Sequence, residues 1–117
     1  DLLRQAWERY RRPVAVTEAH LGCTPDEQVR WLWEVWRAAV SVRAGGADVR
    51  AVTTWAAFGA YDWDSLVTQH TGRYEPGAFD VRIDPPRATP VAELVRDLAA
   101  GRPPADPALA TPGWWRH

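Results

Sequence analysis

The stretch VAVTEAHLGCTPDEQ, Val14–Gln28, decides how this chain is read. It opens with a continuous apolar run, Val14 to Thr17. Such a run suits a parallel strand buried on both faces better than a half-exposed one. It closes with a helix start. Thr24 is placed as N-cap, Pro25 as the favoured first helical residue, and Glu27 as the partner of a capping box. Between strand and cap stands one carboxylate, Glu18, at the strand's C-terminal end.

The flanking segments extend the pattern. Upstream, Leu3, Ala6, Trp7 and Tyr10 recur at i, i+3, i+4 and i+7, which predicts an amphipathic helix over Leu2 to Tyr10. Pro13 ends it, because the residue before a proline avoids the helical region. Downstream, the helix begun at Pro25 runs to about Arg43. Val29, Leu32, Trp33, Trp36 and Val40 form its main apolar stripe, with Trp31 and Val35 widening it. Gly45 and Gly46 stop it. DVRAVTTW, Asp48 to Trp55, predicts a second β-branched strand. A long irregular segment, Ala56 to Arg87, follows, with room for a short strand near Ala78 to Val81. Segments of that length inside a compact domain are usually functional. Thr89 and Pro90 open a third helix with Val91, Leu94, Val95 and Leu98 on one face, and Gly101 closes it. Pro103, Pro104, Pro107 and Pro112 make the tail, residues 102–117, read as an extended linker with an aromatic end.

The order is α-β-α-β, long loop, α, tail. Helices between apolar strands imply right-handed crossovers and a parallel sheet. Two parallel strands cannot cover themselves, and their outer edges are open. The reading is therefore an α/β chain with two parallel strands and flanking helices, a piece of a larger fold or one that self-associates through its strand edges. The start at Asp1, with helical periodicity already under way, points to a fragment.

Composition narrows function by exclusion. The chain has 117 residues, 46% hydrophobic and 25% charged, with a net charge of −1. Near-neutral charge gives no electrostatic footprint for nucleic acid or membrane. All 14 basic residues are Arg, which reads as compositional bias. No apolar run approaches the roughly 20 residues of a membrane helix. The single cysteine, Cys23, excludes an internal disulfide framework and fits a reducing cytoplasm. His20 and Cys23 are half of a zinc pattern without a second half, so no metal or cofactor is expected. Eight Trp in so short a chain call for a large core, an interface or a ligand with flat faces. Sugar rings are such ligands.

Strand ends set the candidate site. In α/β barrels, catalytic groups sit at the C-terminal ends of the strands. Glu18 ends the first strand and Trp55 the second, and Tyr61, Asp62 and Trp63 lie in the loop just after. Ordinary packing remains the alternative for Trp55, Asp62 and Trp63.

Here the chain resembles the last quarter of the family 1 glycoside hydrolases. VAVTEAHLG, then VTTWAAFGAYDWDSL, GRYEPGAFDVR and PRATPVAELVR follow that family's order and spacing over nearly all of residues 1–101. The resemblance implies a C-terminal fragment of a (β/α)8 barrel that hydrolyses β-glycosides with retention. It implies Glu18 as nucleophile, from the match of Thr17-Glu18, and Trp55, Asp62 and Trp63 as groups that grip and stack the sugar. The family's Asn and Gly after the nucleophile are Ala19 and His20 here, which alters the floor of the site and places His20 among the substrate-binding candidates. Retention needs two carboxyl groups about 5–5.5 Å apart. The family's general acid lies on a strand this chain does not contain, so the chain alone is expected to be inactive, with the rest of a barrel as its partner.

A narrower similarity links TEAHLGCTPDEQ and ALATPGWWR to bacterial hybrid proteins in which such a barrel precedes a dTDP-4-dehydrorhamnose reductase-like domain. It implies that residues 102–117 are an interdomain linker and that a dinucleotide site lies beyond His117. It also supplies the alternative function: a non-catalytic, sugar-recognising or structural domain attached to an enzyme of nucleotide-sugar biosynthesis.

Overall fold

A computed structural model describes residues 2–66 and 68–116. Its centre is a β-α-β unit: β1 (Val14–Ala19), α2 (Pro25–Ala44) and β2 (Val49–Thr54), preceded by α1 (Leu2–Tyr10). The two strands pair in parallel, with Val14 opposite Val49, Val16 opposite Val52 and Ala19 opposite Thr54. The long loop holds two small antiparallel pairs, β3 (Ala60–Tyr61) with β4 (Tyr74–Glu75) and β5 (Phe79–Asp80) with β6 (Arg87–Ala88). The last helix is α3 (Pro90–Ala99). The protein is thus a small α/β fold with a two-stranded parallel sheet flanked by helices. These two strands by themselves close no barrel.

The predicted helix boundaries hold for physical reasons. Arg11 leaves α1 with φ 48° while its N–H still bonds the Trp7 carbonyl, and Pro13 follows at once. At α2 the Thr24 hydroxyl accepts from the Glu27 N–H at 3.5 Å. Only half of the capping box forms: the Glu27 carboxylate turns to Arg30, 2.5 Å away, one turn along the helix. Gly46, at φ 93°, takes the left-handed conformation that ends α2. Thr89 occupies the N-cap position of α3 but does not cap it. Its hydroxyl lies 2.8 Å from the Gly77 carbonyl and 3.0 Å from that of Ala78, tying the helix start to the loop.

Two expectations are corrected. β1 is not buried on both faces: Val14 and Val16 are half-buried under α2 while Ala15 and Thr17 are exposed. The described residues supply a helical layer on one face of the sheet only. The stripe of α2 also differs. Val29, Leu32, Ala39 and Val42 are buried, whereas Val40 is 50% exposed. The N-terminal half of α2 packs with α3 through Val29, Leu32, Val91 and Leu94. Its C-terminal half packs with α1 through Ala39, Val42, Leu3 and Trp7. The flank carrying Val40 belongs to neither cluster.

Over its described length the tail packs against α2. Arg30, Trp31 and Glu34 share one face of α2, and the tail folds back onto it. Arg30 donates to the Ala108 carbonyl at 2.8 Å and to the Thr111 hydroxyl at 3.0 Å. Trp115 Nε1 donates to Glu34 at 3.1 Å, and Arg116 pairs with the same carboxylate at 2.8 Å. Trp31 and Trp115 meet edge to face with centroids 5.4 Å apart. No helix among the described residues is long and apolar enough to cross a membrane.

Candidate functional site

Parallel pairing brings the C-terminal ends of β1 and β2 to the same end of the sheet. Ala19 presents its carbonyl to β2, accepting from Trp55 N–H at 3.3 Å and lying 3.4 Å from the Thr54 hydroxyl. This coupling sets Glu18 on one strand beside the segment that carries Trp55. Glu18 is exposed, and its side chain makes no hydrogen bond or ion pair among the described residues.

Beyond β2 the chain turns through a cis Trp55–Ala56 peptide into the long loop. Trp63, which starts a single 3-10 turn, comes back over Trp55. Their ring centroids are 5.5 Å apart and the planes are inclined by 33°. Both indoles line a cleft of about 300 Å³ with Phe58, Ala60, Glu75 and Pro76. Trp63 is 44% exposed, so its ring is available to a ligand. Small residues allow the close approach of the walls. A Cβ on Gly77 would stand 2.6 Å from the Ala56 carbonyl oxygen, and one on Gly59 2.0 Å from the Tyr74 hydroxyl.

His20 stands behind the cleft wall, in contact with two of its residues, Trp55 and Glu75. Its Nδ1 is 3.2 Å from the Trp55 carbonyl oxygen and its Nε2 is 2.6 Å from Glu75 Oε1. The loop after β1 is thereby tied both to the end of β2 and to β4. Nearby, burial first, then the negative charges of Glu27 and Glu75, pushes the Cys23 thiol up to about 11, which keeps it protonated.

Asp62 has a different setting. It is only 5% exposed and takes a left-handed conformation, φ 55°. Its Oδ1 accepts from the Thr71 hydroxyl at 2.5 Å and from Arg73 N–H at 3.0 Å, and its Oδ2 accepts from Gly72 N–H at 3.3 Å. His70 Nδ1 lies 3.5 Å from Oδ2. The Thr71 hydrogen bond, helped by the backbone donors of Gly72 and Arg73, holds the carboxyl below its ordinary range although burial opposes this. Both oxygens therefore brace the loop. Asp80 does similar work further on: its bidentate pairing with Arg82, together with the Arg82 N–H, holds it well below the ordinary range.

The structure thus brings Trp55, Trp63 and His20 together, sets Glu18 at the end of the neighbouring strand, and turns the Asp62 carboxylate into its own loop. It adds Glu75, which the sequence reading includes only within the GRYEPGAFDVR segment and gives no role. The Pro-Gly that follows Glu75 marks a turn, but nothing local marks its partner His20. Among the described residues, no group of three His, Cys, Asp or Glu side chains is placed to hold a metal ion. Comparison of the chain with protein-family models, with curated proteins and with solved structures gives no match.

Proposed function

We propose that the Trp55–Trp63 cleft is a sugar-binding site and that the chain is the C-terminal part of a (β/α)8 barrel of the family 1 glycoside hydrolase kind. The observation that carries this reading is the pair of indoles gathered at the C-terminal end of a parallel β-α-β unit, the end at which Glu18 stands. Indole faces are large and apolar, and they take the C–H faces of pyranose rings without requiring a charge. Clefts with apolar walls and few polar groups are the usual form of a small-molecule site.

In the intact barrel Glu18 is the nucleophile. Its carboxylate attacks the anomeric carbon as the glycosidic C–O bond breaks. The leaving oxygen takes a proton from a second carboxyl group contributed by another strand. Water, deprotonated by that second group, then releases the sugar and restores Glu18. This chain by itself holds the nucleophile and the stacking surface, so it binds without turning over. The test is intact-mass labelling of the full-length barrel protein with activated 2-fluoro-glycosides. An adduct mapped to Glu18 is the expected result. A folded protein that takes no label from any sugar in the panel overturns the hydrolase reading.

A second reading is favoured by one feature. The cleft is assembled almost wholly from residues 55–77, around the Trp55–Trp63 pair, and needs no second catalytic carboxylate. Sugar recognition without hydrolysis, in a domain attached to a nucleotide-sugar enzyme, uses this cleft alone. Labelling failure combined with saturable glycoside binding identifies that case.

A further inference from the structure

We propose that Glu75, held by His20, is the carboxylate that accepts sugar hydroxyls in the Trp55–Trp63 cleft, a role that rests on reading the cleft as a sugar site. Stacking alone is indifferent to which sugar is bound. Orientation needs a polar group on the wall, and a carboxylate accepts well from hydroxyls. Among the described residues, Glu75 is the one charged residue lining the cleft. Asp62, in the same loop, has both oxygens committed to Thr71, Gly72 and Arg73.

The chemistry of the His20 bridge prepares Glu75 for this role. The Trp55 carbonyl can only accept, so Nδ1 carries a hydrogen. Nε2 lies 2.6 Å from Glu75 Oε1 and fixes that oxygen in place. Oε2 remains. It has no hydrogen bond among the described residues. A Cβ on Gly22 would stand 3.2 Å from it, a tight contact, so the glycine lets the loop after β1 pass close to this oxygen without covering it with a side chain. One oxygen is fixed by His20 and the other is free to accept.

The test follows intrinsic Trp fluorescence of the 117-residue chain during titration with a panel of methyl β-glycosides. The wild type is expected to saturate with at least one sugar, and Trp63→Ala to abolish the response. Glu75→Gln is expected to weaken binding about tenfold or more, the loss expected for one hydrogen bond to a charged group. Glu75→Gln binding like wild type, with Trp63→Ala still inactive, overturns the role of Glu75 and leaves the cleft reading standing. A wild type that responds to no sugar removes both. Should Glu75→Gln fold poorly, the carboxyl-carbon NMR resonance of Glu75 in the labelled wild type decides. A shift on saturation supports the contact, and no shift while Trp63 responds overturns it.

Discussion

The Thr71 hydroxyl donates to Asp62 Oδ1 across 2.5 Å, and this bond gives the Asp62 carboxylate a structural task. The residue whose position after Trp55 suggests sugar contact also ties its own turn to Thr71, Gly72 and Arg73. Its oxygens satisfy donors that would otherwise be left unpaired where the loop reverses.

Thr71→Val removes that hydroxyl at little change in volume. We expect the Gly72 and Arg73 amides, which share the Asp62 carboxylate, to exchange with solvent several-fold faster, while amides of α2 keep their protection. Hydrogen-exchange NMR distinguishes this local loosening from a global one.

Acid acts on the same groups. Asp62 and Asp80 are both held below their ordinary value of 3.8 in the folded protein. The folded form thus stays ionised to lower pH than the unfolded chain. Their stabilisation is complete above the ordinary value and is lost as pH falls through the lowered ones. The urea midpoint is expected to be level from about pH 7 to about 5 and to fall below about pH 4. Asp62→Asn, less stable at neutral pH, is expected to show a shallower fall.

The two flanks of α2 give a contrast in the core. Leu94 is almost fully buried against Val29 and Leu32, so Leu94→Ala is expected to cost about 2–5 kcal/mol in urea unfolding. Val40→Ala, which the sequence periodicity alone would rank as equally damaging, is expected to stay within about 0.5 kcal/mol.

Gly77→Ala probes the cleft wall. The added methyl meets Ala56 and Phe58 backbone atoms at 2.6 Å, and backbone cannot swing away as a side-chain tip can. An overpacking cost of about 1–3 kcal/mol is expected, together with altered Trp fluorescence as the wall carrying Ala56 shifts. Gly72→Ala adds no such clash, although its φ of 73° strains it. It is expected to destabilise while leaving the Trp55–Trp63 emission unchanged.

The tail yields the last prediction. Glu34 receives both Trp115 and Arg116, and Arg116 foremost holds its carboxyl below the ordinary range. Glu34→Ala is expected to release residues 112–116 from α2, read as faster proteolysis there and a red-shifted Trp emission, with the urea midpoint little changed because the contacts are largely exposed.

The sequence by itself determined the elements. Helix starts, stops and the order α-β-α-β were legible because caps, prolines, glycines and apolar periods act within a few residues of where they stand. It also placed Glu18 and Trp55 at strand ends, since parallel pairing aligns those ends. Only the tertiary structure decided what the groups touch. Val40 lies exposed because α1 and α3 cover other parts of α2. Thr89 ties a loop instead of capping a helix. Asp62 turns inward to Thr71, and Glu75 meets His20. Each of these depends on which donors and surfaces the folded chain brings within a few ångströms, and hydrogen-bond partners distant in sequence leave no local pattern to read.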